Sequence, residues 1–283
     1  MLSDAVNAWS RGELAKHTVI TAARALQPYG VKLMPLKGVE LIARYGRDPA
    51  ERWVADADVL IEPRKFGIAC SALTRSGFRE TMNGWSAVAF ACPSGAIDLD
   101  VHRTALPMFM GKMSARWLFS RGHTSSNIFG VPVVHMHPAD AIVHLLCTHL
   151  KDRLPRARVD TVAADLRSVA RHTTPADVAL AGSSAELRSA AWVALTDLLC
   201  GRDEYLLQPF LDELRPSIVA RQRALAIRRV VGSLGAAHPH LSHAIVRNAG
   251  DSWSRGILSS ALSLARTEGA LRRIRKVARE MTG

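Results

Sequence analysis

The sequence predicts an α+β fold, in which a mixed sheet with flanking helices over residues 30–136 is followed by a helical domain over residues 137–283. Three observations carry this expectation. Short apolar runs rich in Val, Ile and Leu alternate with stretches of helical period up to "VPVVHMH". From Pro138 onward the helical period is almost unbroken. The 48% hydrophobic fraction of the 283 residues is enough for a sizeable core. It is nowhere gathered into the roughly 18 uninterrupted apolar residues that a membrane span requires.

Residues 1–29 repeat apolar side chains at helical spacing and end at "QPYG", so they are expected to form a helical segment that packs on the helical domain. "VKLMPLKG" reads as a short strand entering a glycine turn, and "VELIARYG" as a helix stopped by Gly46. "VADADVLIE" is a strand, "PRKFGIACSALTRSG" a helix with Pro63 near its first turn, and "FRETM" the next strand. The "NG" pair marks a tight turn into "WSAVAFAC", and "AIDLDVHRTAL" follows "PSG" as another strand. "VPVVHMH" is the last strand before "PADAIVHLLCTHLKDR", whose Pro and Asp suit a first helical turn. The segment "EGALRRIRKVARE" is a basic amphipathic helix.

The net charge of +12 arises from 37 basic and 25 acidic residues and favours polyanionic partners such as nucleotides or RNA. Cys70, Cys92, Cys147 and Cys200 are scattered, with no pair at zinc-ligand spacing, and read as buried thiols. The first residues lack the pattern of a secretory signal, and a cytoplasmic protein without membrane association is expected.

"RWVADADVLIEP" places two aspartates in an otherwise apolar strand. Alternate strand residues share a face, so Asp56 and Asp58 are expected to point the same way, about 6 to 7 Å apart. Two anions held there repel, and a divalent cation between them resolves the conflict. Hard oxygen ligands suit Mg²⁺. In "AIDLDVHRT", Asp98, Asp100 and His102 share one face, so a third carboxylate reaches the same place if the two strands are neighbours. Three such acids suit two metal ions that clamp an in-line phosphoryl displacement. Removing one of the crowded anions, Asp58 for instance, is expected to relieve repulsion in the metal-free protein. Lys37 and Gly38, at the start of a helix, provide a cation and a close backbone approach for phosphate. Arg52 is a fork-shaped partner for phosphate oxygens or for one of the acids.

In this order, "LKG", "RWVADADVLI" and "IDLDVH" resemble the nucleotidyltransferase superfamily typified by DNA polymerase β, and within it the family labelled uncharacterised nucleotidyltransferase. The resemblance runs from about Leu33 to Leu106, with a weaker echo in "HPADAIVHLLCTHLKDRL" and "VDTVAADL". It implies a small mixed sheet flanked by helices, two Mg²⁺ ions, and transfer of a nucleotidyl group from a nucleoside triphosphate. By position it implies Asp56 and Asp58 as the metal pair and Asp100 as the third acid, because Asp100-Val101-His102 matches the related pattern better than Asp98 does. Lys37-Gly38 stands where the superfamily usually has Gly-Ser.

His102 either joins the site directly or orients Asp through a hydrogen bond. His149, Lys151 and Arg153 are candidates to touch the nucleotide from the helical domain, the alternative being simple surface placement. His144 and His149 are five positions apart, which does not make a zinc pair, and His144 reads as packed in the helical domain. Asp160 and Asp165 fall on a later helix, where packing against a basic neighbour is an equal reading. No nucleophile elbow, P-loop or dinucleotide fingerprint occurs. The expected activity is Mg-dependent transfer of a nucleoside monophosphate to a hydroxyl or phosphate, with tRNA as one acceptor. A small molecule or peptide acceptor, or a non-catalytic nucleotide-binding module, are the alternatives.

Overall fold

Alternation of apolar and polar residues builds one sheet that carries both acid-bearing segments. The protein is described here by a computed structural model covering residues 2–84, 86–106, 112–152, 159–200, 202 and 204–217. The strands of this sheet are β1 (Leu33–Pro35), β2 (Ala57–Ile61), β3 (Arg79–Asn83), β4 (Ala87–Ala91) and β5 (Leu99–His102). Their order is β1-β2-β5-β4-β3. The β2/β5 pair is parallel and the β1/β2, β5/β4 and β4/β3 pairs are antiparallel, with a register shift in β3 between Glu80 and Met82.

Period-two alternation decides which face is the core. Ala57, Val59 and Ile61 of β2, Leu99 and Val101 of β5, and Val88 and Phe90 of β4 belong to one buried apolar cluster. Helices α1 (Leu2–Leu26) and α3 (Phe66–Arg75) supply Ala15, Val19, Ala22, Leu26, Ala69, Ala72 and Leu73 to the same cluster. Each Leu- or Phe-sized side chain buried there contributes about 1.5–3 kcal/mol. The interposed residues Asp58, Asp100 and His102 project from the other face.

The first helix is seated on the sheet core. Its stripe of Ala15, Val19, Ala22 and Leu26 lies against α2 (Lys37–Tyr45), α3 and β2. The Thr18 hydroxyl, fully buried, donates to the Ile97 carbonyl at 3.1 Å. Two short elements were not expected. Helix α4 (Ala115–Arg121) is capped by Ser114, whose Oγ accepts from Trp117 N at 3.2 Å, and β6 (His123–Ser125) pairs antiparallel with β7 (Val133–His135).

The chain divides into two compact units, and the division differs from a boundary at residue 136. The first unit holds α1 through β7, the part of α5 (Pro138–Asp152) up to Leu145, and α6 (Val159–Ala170). Buried charge ties α6 to this unit. Asp165, with a side chain only 3% exposed, faces Arg47 Nε at 3.1 Å and Arg52 Nε at 3.0 Å. In the second unit α7 (Pro175–Ser184) and α8 (Arg188–Leu199) pack with α9 (Gln208–Leu214), and the Arg188 guanidinium donates to the Glu213 and Leu214 carbonyls. The basic segment "EGALRRIRKVARE" lies outside the described residues. Among the described residues no helix is long and apolar enough to cross a membrane.

Candidate functional site

Parallel pairing of β2 with β5 places Asp58 directly beside Asp100 and Leu60 beside His102. On the other side of β2, Pro35 pairs with Val59 and Leu36 N donates to the Asp58 carbonyl at 2.9 Å. That pairing sets Lys37, at the start of α2, next to the Asp58 side chain. Asp58 therefore sits between a lysine that follows one neighbouring strand and an acid and a histidine from the other.

The contacts are short. Lys37 Nζ donates to Asp58 Oδ1 at 2.8 Å, and His102 Nε2 lies 2.7 Å from the same oxygen. Asp58, Asp100 and His102 each offer a ligand atom within 4.8 Å of the others, a donor set that fits a divalent cation. Asp56 stands outside this trio. It lies at the bend just before β2, partly buried, while the strand itself begins at Ala57. Asp98 is exposed and lends its carbonyl to Ala57 N at 2.8 Å, leaving Asp100 as the acid of β5 that meets Asp58.

The carboxylates divide electrostatically. Burial, then the charges of Asp58 and Asp100, push the Asp56 carboxyl up from its ordinary 3.8 to about 6. Burial and Asp58 likewise raise Asp100. Burial works in the same direction on Asp58, but the hydrogen bond from His102 and the charge of Lys37 outweigh it and hold this carboxyl well below the usual range. The repulsion expected of the pair thus resides on Asp56 and Asp100. Asp58 is already compensated, so the expected relief on its removal does not hold. A cation beside Asp56 and Asp100 would supply the charge those two groups lack, which is the second reason that the site fits a metal.

Lys37 adopts φ +50°, the left-handed region that non-glycine residues avoid at a cost of roughly 1–3 kcal/mol. The neighbouring Gly38 does not have such a conformation, and its missing side chain makes room for Val54, whose Cγ2 lies 3.1 Å from where a Cβ would stand. Gly38 thus serves packing against Val54. Lys37, Glu40, Tyr45 and His144 line a small pocket alongside. His144 belongs to this first unit, where Nε2 donates to the Ala105 carbonyl at 3.0 Å. Burial and the nearby Lys37 lower its pKa to about 4, so it stays neutral. Beneath the pocket, Glu40 is buried between His135 Nδ1 at 2.9 Å and Arg44 at 3.2 Å.

The remaining candidates are placed as follows. Arg52 pairs with Asp165, and its Nη1 donates to the Trp53 carbonyl at 3.0 Å, so its guanidinium is engaged with α6 and its own loop and not with the acids. His149 is partly buried on α5, in the part of that helix belonging to the second unit. Lys151 lies on the same helix with its side chain outside the described residues, and Arg153 falls outside them altogether. Asp160 starts α6. Arg11 was missed by the sequence reading. Its Nε donates to the Val54 carbonyl at 2.6 Å and its Nη2 to the Ala55 carbonyl at 2.5 Å. No local pattern could have announced this, since its partners are backbone atoms 43 and 44 positions away.

The family model described as uncharacterised nucleotidyltransferase matches residues 3–192. Comparison of the sequence with curated proteins gives no match. Among solved structures, the chain is similar to an antigenic nucleotidyltransferase-like protein from Paracoccidioides brasiliensis, at 18% identity over 71% of this chain and 93% of the other, with a TM-score of 0.49. Similarity to the antibiotic-resistance factor ANT(2'')-Ia is 16% identity over 62% of this chain and 93% of the other, with a TM-score of 0.43. A tRNA nucleotidyltransferase solved with a primer tRNA and an ATP analog is 13% identical over 84% and 79%, with a TM-score of 0.28.

Proposed function

Because the chain belongs to the uncharacterised nucleotidyltransferase family, we propose that it transfers a nucleoside monophosphate from a nucleoside triphosphate to an acceptor hydroxyl or phosphate in a Mg²⁺-dependent reaction. The observation that carries this reading is the register of β2 with β5, which sets Asp58 against Asp100 with His102 in reach. In the reaction the acceptor oxygen forms a bond to the α-phosphorus, the bond to the leaving oxygen breaks, and pyrophosphate departs.

Asp58 and Asp100 hold divalent metal, Asp56 completes the acidic wall, and His102 orients Asp58 or joins it as a ligand. Bound there, Mg²⁺ would neutralise developing charge on the triphosphate and make the acceptor oxygen a better nucleophile. Lys37 has a role that its backbone supports. Glycine would adopt φ +50° without strain, yet the position carries an ammonium, which would move from Asp58 to a phosphate oxygen. Gly38 keeps α2 close to the segment holding Asp56. His149 and Lys151 of α5 are proposed as further residues that contact the nucleotide.

RNA, in particular tRNA, is the acceptor favoured by the net charge of +12. The test is incubation of the protein with each α-labelled triphosphate, Mg²⁺, and either tRNA or a metabolite and peptide extract. Label is expected on tRNA with equimolar pyrophosphate. Label only on a small molecule or peptide would replace the acceptor. Absence of both transfer and triphosphate binding would reduce the protein to a non-catalytic relative and overturn the proposal.

A further inference from the structure

Of the three acids, Asp56 alone is not fixed by a strand. Asp58 and Asp100 are anchored by ladder hydrogen bonds of β2 and β5, whereas residues 52–56 run to the site without regular structure. Where Asp56 stands therefore depends on what holds the segment that precedes it.

Arg11 of α1 is placed to do this. Its Nε and Nη2 hydrogen bonds end on the carbonyls of Val54 and Ala55, the two peptide units immediately before Asp56. Its guanidinium carbon also lies 4.8 Å from the centre of the Trp53 ring, so the fork is fixed by stacking as well as by hydrogen bonds. The next residue shows what the approach requires. Gly12 is a helix-interior glycine, which costs about 0.5–1 kcal/mol relative to alanine. A Cβ there would lie 3.0 Å from Pro49 Cβ and 3.2 Å from Ile42 Cδ1. The absence of that atom lets α1 come near enough for Arg11 to reach the loop. One turn pair further along, Thr18 holds the Ile97 carbonyl that leads into β5. The first helix thus grips the chain just upstream of both acid-bearing segments.

We propose that Arg11 is a positioning residue, which fixes the 53–55 peptides so that Asp56 stands at the place where it contributes to the metal and nucleotide site. The inference rests on the reading of that site as a nucleotidyl-transfer centre. It adds a requirement that the acids themselves do not reveal, namely that the wall is complete only while α1 is seated. Because the guanidinium is engaged with the Val54 and Ala55 carbonyls and the Trp53 ring, its effect passes through Asp56.

The test is Mn²⁺ binding by calorimetry to the full chain, with Arg11→Met, Arg11→Lys, Gly12→Ala, Asp56→Asn and the Arg11→Met/Asp56→Asn pair, each also followed by thermal melting. Arg11→Met is expected to weaken Mn²⁺ by about tenfold, the scale of losing an outer partner of a metal ligand. Arg11→Lys, which keeps the charge and one hydrogen bond, should recover part of the loss, and Gly12→Ala should reproduce part of it with Arg11 present. In the Asp56→Asn background Arg11→Met should add no further loss, which a general effect on packing would not produce. Should Arg11→Met fail to fold, Arg11→Lys and Gly12→Ala carry the same comparison. Unchanged affinity in the folded variants, or an equal loss with and without Asp56, would overturn the clamp. A wild-type protein that binds no Mn²⁺ would overturn the metal reading itself, and the clamp with it, so the two failures are told apart by the unmutated chain.

Discussion

Asn in place of Asp56 removes a carboxyl that burial, Asp58 and Asp100 all push toward the protonated form, whereas Asn in place of Asp58 removes one that Lys37 and His102 hold ionised. The two substitutions should therefore act in opposite directions on the metal-free protein. For Asp56 the folded-state pKa of about 6 exceeds the ordinary 3.8, so the folded state binds the proton more tightly than the unfolded one. It is not penalised at pH values below both, and loses stability as pH rises from about 4 to about 6. Asp56→Asn should abolish that loss and melt about 2–4 °C higher at pH 7 in EDTA, after allowance for the residue's partial exposure. Asp58→Asn should melt lower, since it leaves the Lys37 ammonium facing a neutral amide at a cost of about 1–3 kcal/mol. Melting curves across pH for the two variants check both signs, and a higher melting temperature for Asp58→Asn would refute the charge assignment. At this scale much was legible, because an acid in an apolar period-two run announces itself. The ion pair of Arg52 with Asp165 was not. Asp165 lies on another element, and neither residue carries a local sign of the other.

Strands β2 and β5 bring the acids together only while their other face is buried. Leu99 is fully buried, pairs with Ala57, and precedes Asp100. Leu99→Ala should cost about 2–5 kcal/mol. Urea denaturation is expected to show this as a lower midpoint, and a loss under about 0.5 kcal/mol, the size of an ordinary surface change, would mean that this face is not packed as described. Both strands were readable from alternation alone. Their register was not, because it follows from hydrogen bonds between segments that are distant in sequence. Helix α4 and strand β6 escaped notice for a different reason, being seven and three residues long, too short to complete a recognisable period. The destination of α1 was also hidden. An apolar stripe states that a helix is buried and is silent about which surface buries it.

Over the whole molecule, the excess of 12 positive charges has a consequence that separates acceptors. If tRNA is the acceptor and about six phosphates are contacted, its affinity should fall by about a thousandfold between 50 and 200 mM salt. A small neutral acceptor would show almost no such dependence. Filter binding with tRNA across that range checks this, and a change under about twofold would remove RNA as the partner.

The bond between Thr18 and Ile97 closes a loop of 79 positions. During synthesis at roughly 5–20 residues per second, α1 would therefore wait about 4 to 16 seconds before β5 exists to receive it. In the first part of that interval, until β2 has emerged, its stripe of Ala15, Val19, Ala22 and Leu26 has no strand to cover. Nascent chains that stall before residue 57 would present this stripe to the ribosome surface and to holdases, and a version trimmed of its first helix would expose the surface it covers instead.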